Sequence, residues 1–152
     1  MFNEKTWKNG EEIAAKYMLS KGYKILFRNF RCKVAELDIV AIFSKKEQKK
    51  LLKKELLLKI KNCKSYNDSK LLKIVYKNQI KQLNDLLIIT EVKSRSSDKF
   101  GLGVEAISKD KIKHMKNGAE VLLKMKKFKN KGIRFDVASV DGENLTYIED
   151  AF

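Results

Sequence analysis

Glu91 and Lys93 stand one residue apart at the end of an apolar run, in the stretch L-L-I-I-T-E-V-K-S-R that covers residues 86–95. A short Leu/Ile run bounded by Asn84-Asp85 and Ser96-Ser97 reads as a strand buried on both faces. Side chains alternate along a strand, so Glu91, Lys93 and Arg95 share one face while Thr90, Val92 and Ser94 take the other. A carboxylate and an ammonium at the end of a buried strand are costly unless paired or holding a metal. Taken alone, E-x-K reads as an ion pair at a strand end.

A second stretch changes that balance. Residues 35–43 read A-E-L-D-I-V-A-I-F. As a strand it places Glu36 and Asp38 on one face and Leu37, Ile39 and Ala41 on the other. If the two strands pair antiparallel, the Asp38 end of the first meets the Lys93 end of the second. Asp38, Glu91 and Lys93 then converge, with Glu36 and Arg95 at the rim. Two carboxylates beside one lysine suit a Mg²⁺ ion held through oxygen ligands, with a polarised water beside it.

The rest of the chain must position these strands. Trp7, Glu11, Ala14 and Met18 recur at helical spacing, so a first helix is expected over residues 6–20, closed by Lys21-Gly22. Glu11 falls on its apolar stripe, as a structural ion pair or as part of the site. Residues 23–30 read as a first strand, followed by a turn into the Asp38 strand. Residues 107–127 form a second long helix, with Ile112, Met115, Ala119 and Leu122 inward and His114 among lysines. Residues 133–140 give a fourth strand with Arg134 and Asp136 paired, and 145–148 a short edge strand. The segment 96–103 reads as a flexible connection. Residues 45–85 read as a Lys-rich insertion, a helical hairpin in which Leu72, Tyr76, Ile80, Leu83 and Leu87 keep helical spacing. Its 13 Lys against four acids carry +9 of the total +15. It springs from the end opposite the acids, about 17 Å from the site at the usual strand rise.

Composition bounds the partners. A length of 152 residues suits one domain, 1–152, with the insertion inside it. A net charge of +15 favours polyanions, although only four of the 34 basic residues are Arg, so a drift toward Lys explains part of it. Cys32 and Cys63 match no metal-ligand spacing and are expected to be free thiols in a reducing cytoplasm. The start M-F-N-E-K-T-W-K lacks an apolar leader, and no stretch reaches about 18 apolar residues, so no membrane span is expected.

Taken together, Gly10-Glu11, Ala14, Tyr17, Leu19, Gly22-Tyr23, Arg28-Asn29, Arg31, Glu36-Leu37-Asp38, Glu91-Val92-Lys93, Arg95, Phe100-Gly101, Lys111 and Arg134-Phe135-Asp136 resemble the YraN-like family of predicted endonucleases. That family belongs with the PD-(D/E)XK nucleases and is closest to the Holliday-junction resolvases. The resemblance covers nearly all of the chain outside 45–85. It implies an α/β, restriction-endonuclease-like core of order αβββαβ, with a central mixed sheet flanked by helices and a Lys-rich insertion between strands two and three. It also implies a Mg²⁺- or Mn²⁺-dependent endonuclease acting on DNA, plausibly branched, in recombination or repair. Asp38 and Glu91 become metal ligands with the Val92 carbonyl as a further one, Glu11 becomes a helical acid turned to the metal, and Lys93 orients the attacking water. Glu36, Arg95 and Lys111 become neighbours of the site or phosphate contacts. Ala35 stands where such sequences usually carry Gly. Resolving a four-way junction needs two cuts, for which a homodimer is a reasonable expectation. The competing reading is a nucleic-acid-binding protein of the same fold with weak or no catalysis, and a less favoured one uses the insertion as a membrane-surface anchor.

Overall fold

The computed structural model describes residues 4–95 and 107–152. Its elements run α1 (Glu4–Ser20), β1 (Lys24–Cys32), β2 (Ala35–Phe43), α2 (Lys45–Lys61), α3 (Tyr66–Gln82), β3 (Leu86–Arg95), α4 (Lys109–Lys124), a short 3₁₀ turn, β4 (Gly132–Asp141) and β5 (Asn144–Ile148). The five strands lie in one sheet in sequence order. β3 and β4 are parallel and every other neighbouring pair is antiparallel. A parallel pair needs a crossover, and α4 lies within it. This mixed sheet with its helices has the architecture of a restriction-endonuclease-like core.

The sheet separates two apolar layers. Ala14, Ala15 and Met18 of α1 pack on Ile39, Ala41, Ile88, Val92 and Ala138. Met115, Ala119 and Leu122 of α4 pack on Leu37, Val40, Leu87 and Ile89. Leu87, Ile88, Ile89 and Thr90 of β3 are all fully buried. Burying each aliphatic side chain is worth about 1.5–3 kcal/mol, so β3 is the element whose register the fold can least afford to shift.

Helix α1 stops at Gly22, which adopts φ +85°. The Tyr23 N–H donates to the Met18 carbonyl at 3.0 Å and the Gly22 N–H to that of Leu19 at 3.0 Å, a Schellman ending that satisfies two terminal carbonyls. A side chain at 22 would be strained by its φ and would lie 3.2 Å from Glu47 Oε2. Gly22→Ala is expected to destabilise the protein by about 1–2 kcal/mol, read as a lower urea midpoint at unchanged slope.

The expected insertion is a helical hairpin, α2 and α3, and its roots are fastened. The buried Gln48 side chain donates to the carbonyls of Phe43 at 2.8 Å and Asn84 at 2.7 Å, bridging both ends of the excursion. Asp85 accepts from the Lys45 N–H at 2.8 Å and from Lys131 Nζ at 3.0 Å, which hold its carboxyl below the usual range. Leu87 departs from the expected helical series: α3 ends at Gln82, and Leu87 belongs to β3. The alternation expected for β2 also fails at one point, because Leu37 packs toward α4 while Ile39 and Ala41 face α1. Cys32 and Cys63 are free thiols. The connection expected at 96–103 lies outside the described residues. Among the described residues no helix is long and apolar enough to cross a membrane.

Candidate active site

Strands β2 and β3 run paired from Phe43↔Leu86 to Ile39↔Thr90 and then part. Beyond that point residues 35–37 of β2 pair only with β1, and residues 91–95 of β3 pair only with β4. A backbone N–H at such a fork loses its ladder acceptor and must find another. The side chain of Asp38 supplies it, accepting from the Val92 N–H at 2.8 Å. Asp38 thereby becomes a buried carboxylate, 6% exposed, held at the fork by the backbone of β3.

Glu91 is the next residue of β3 past the last paired position and lies beside Asp38, close enough for their carboxyls to interact directly. Lys111, in the first turn of α4, brings its ammonium to 2.8 Å from Glu91 Oε2. The two form an ion pair within the fork, and Glu91 Oε2 itself is buried. Two adjacent buried carboxylates fit a hard divalent cation that takes oxygen ligands without directional demands. The donor set suits Mg²⁺ or Mn²⁺ and does not suit a thiolate- or imidazole-seeking metal.

Burial, and then the neighbouring Asp38 charge, push the Glu91 carboxyl up to about 7 from 4.5, against the pull of Lys111. The folded chain therefore binds this proton more tightly than the unfolded chain does. The resulting stability is complete below the unfolded value of 4.5 and is lost as pH rises through about 7. The span corresponds to about 3 kcal/mol. In chelator, unfolding free energy should fall by about that much between these limits relative to Glu91→Gln, and parallel urea curves for the two proteins would contradict it. Burial works to lower the pKa of Lys111, but Glu91, Asp38 and Glu36 outweigh it and keep the ammonium firmly charged.

The remaining expected residues take up separate places. Lys93 is half-buried on β3, opposite Ser139 of β4 and two residues beyond Glu91. Glu36 is exposed and accepts from Arg31 Nε at 3.0 Å and Nη2 at 2.9 Å. Arg95 closes β3 opposite Asp141, and its side chain lies outside the described residues. Glu11 accepts from Asn29 Nδ2 at 3.0 Å, while its neighbour Glu12 accepts from Arg28 Nη1 at 2.8 Å. Two successive residues of α1 are thus docked on two successive residues of β1, and Asn29 takes the left-handed φ of +50° that Asn tolerates. Among the described residues no third acid, His or Cys joins Asp38 and Glu91.

What the residue pattern left unread is how α1 meets β3. A Cβ at Gly10 would lie 1.9 Å from Ser94 Oγ and 3.2 Å from Ser94 Cβ, so only glycine lets the helix approach the strand end this closely. The signal was present in Gly10-Glu11, but only as part of a resemblance. The direct Lys111–Glu91 contact was likewise unread, although the Ser108 cap that starts α4 three residues earlier places Lys111 in the first turn.

Residues 10–140 match the profile described as uncharacterised protein family UPF0102. A UPF0102 protein of Caldanaerobacter subterraneus subsp. tengcongensis is 33% identical over 139 residues, covering 90% of this chain and 81% of the relative. One from Caldicellulosiruptor saccharolyticus is 33% identical over 132 residues, 87% of this chain and 78% of the relative. One from Persephonella marina is 27% identical over 152 residues, 100% of this chain and 97% of the relative. On the family profile and these long matches alike, the chain belongs to the UPF0102 family.

Proposed function

We propose that the protein is a divalent-cation-dependent endonuclease that hydrolyses phosphodiester bonds in DNA. The observation that carries this reading is the pair of buried carboxylates, Asp38 and Glu91, set side by side where two strands part. Asp38 and Glu91 would hold the metal, Mg²⁺ or Mn²⁺, with Glu11 on α1 as the further acid that the resemblance assigns to it. When bound, the ion supplies Lewis-acid polarisation of a phosphoryl oxygen and of the attacking water.

The chain's own residues do the rest. Lys93 lies on the strand face of Glu91 by the alternation of β3, where an ammonium orients the water and offsets charge that builds on the phosphoryl oxygens. The net charge of +15 draws the phosphate backbone in, and branch recognition rests on shape and backbone charge rather than on base edges. The fastened helical hairpin, with +9 over residues 45–85, lengthens that footprint away from the reacting centre.

The test is cleavage of four-way, flapped, single-stranded and linear DNA with Mg²⁺ or Mn²⁺, against the same reactions in chelator. Cutting that needs the cation and prefers a branched substrate supports the proposal. DNA retention without cutting under either metal overturns it in favour of a binding protein, a reading helped by the grouping of only two acids among the described residues.

A further inference from the structure

Lys111 is in an odd place for a lysine that only supports its helix. The first turn of a helix carries a partial positive charge that favours anions, and Asp110 already supplies one there. A cation at position 111 therefore gains nothing from α4 itself. Its side chain, 31% exposed, instead leans into the fork, where its ammonium sits 2.8 Å from Glu91 Oε2 and feels Asp38 and Glu36 as well. The ion pair occupies the Glu91 oxygen that a divalent ion bound at the fork would need.

Resting on the metal-dependent reading above, we propose that the Lys111 ammonium is the resident counter-ion of the site. It offsets part of the negative charge of Glu91 and Asp38 while no divalent ion is bound and is expelled when one arrives. An ion bound to these carboxylates at about 2.0–2.6 Å competes for the same Glu91 oxygen and repels the ammonium across a few ångströms of low-dielectric space. Lys111 is exposed enough to swing outward without disturbing the Ser108 cap, which uses only its backbone N–H. Swung out, the ammonium stands at the mouth of the fork, where the anionic substrate must pass. Lys111 is thus a positioning residue: it keeps two repelling carboxylates assembled for the cation that replaces it.

The test reads cation binding rather than cleavage. Mn²⁺ affinity of the substrate-free protein is measured by titration calorimetry for wild type, Lys111→Met and Lys111→Arg. Removing a competing charge should tighten Mn²⁺ binding by Lys111→Met about tenfold, whereas Lys111→Arg, which keeps the charge, should stay near wild type. Lysine Nζ resonances of ¹⁵N-labelled wild-type protein give a second readout free of any folding defect. Mg²⁺ should shift the Lys111 signal toward that of a solvated ammonium. Unchanged or weaker Mn²⁺ binding by Lys111→Met, or a Lys111 signal unmoved while the Asp38 and Glu91 carboxyl resonances shift, overturns the proposal and leaves the nuclease reading standing. No Mn²⁺ binding by any of the three proteins overturns that reading, and this one with it.

Discussion

Asp38→Asn is expected to leave the fold intact and to lower cation-dependent DNA cleavage about 10²–10³-fold. The asparagine carbonyl can still accept from the Val92 N–H, the bond that anchors Asp38 at 2.8 Å. What disappears is one of two adjacent negative charges, and with it half of the charge that would draw a divalent ion. Loss of that charge also relieves Glu91, whose carboxyl is raised in part by Asp38, so metal-free stability should hold or rise near neutral pH. Asp38→Ala is the poorer variant, because it strands a buried N–H at a cost of about 1–3 kcal/mol and mixes folding with chemistry. Lys93→Ala should lose cleavage to a similar extent. Both variants should retain DNA binding at the same salt concentration, since phosphate contacts spread over a basic surface supply most of the affinity. Initial rates on branched DNA with Mn²⁺, paired with gel-shift binding, check this. Cleavage above a tenth of wild type in both variants would trace the activity to something other than this fork.

The strands that build the fork were readable because their chemistry coincides with their periodicity. Ala35–Phe43 and Leu86–Arg95 each join acids at one end to an apolar run, and both have the expected bounds. The side on which Leu37 lies was not readable, because regular alternation breaks between Leu37 and Ile39, beside the left-handed Asn29 of β1. β2 loses β3 as a partner beyond Ile39, and there Leu37 turns into the layer under α4. A Cβ at Gly118 of α4 would lie 3.0 Å from Leu37 Cδ2, so the helix is cut away to receive that side chain. Neither residue announces the other, since 81 positions separate them. The end of α3 was blurred for a different reason. Leu83 and Leu87 continue the series 72, 76, 80 by steps of three and four, and over so short a run an apolar pattern does not separate helix from buried strand. Asp85, which fastens the root of the hairpin through Lys45 and Lys131, marks the true boundary. The setting of Glu11 lies furthest from the residue pattern: a stripe position predicts burial, but Glu11 is half-exposed, and its bond to Asn29 depends on a left-handed residue inside β1.

The largest loss of stability is expected on the other face of the sheet, where Asp136 stands opposite Thr90, the residue before Glu91. Asp136 is completely buried and receives four donors. Arg134 Nε and Nη2 reach its two oxygens at 2.8 and 2.7 Å, the Tyr147 hydroxyl adds a third bond at 2.8 Å, and the Asp150 N–H a fourth at 3.0 Å. Arg134 also donates to the Tyr23 hydroxyl at 2.7 Å and to Glu149 at 3.1 Å. Burial opposes the arginine's charge, but Asp136 and Tyr23 outweigh it and hold the proton more tightly than usual. Tyr147 is pushed the same way by burial and then by Asp136, so it remains a donor at any ordinary pH. Arg134→Met keeps much of the stem's packing while leaving Asp136 without its counter-charge. A buried pair broken on one side costs about 3–5 kcal/mol, a large share of the roughly 5–15 kcal/mol that holds a domain together. Arg134→Met/Asp136→Asn removes the abandoned charge and leaves an amide oxygen for Tyr147 or the Asp150 N–H, so it should recover about half of the loss. Urea unfolding of the two variants beside wild type decides the matter. A double variant no more stable than Arg134→Met would mean that Arg134 acts through Tyr23 and Glu149, and that the Asp136 charge is not what it serves.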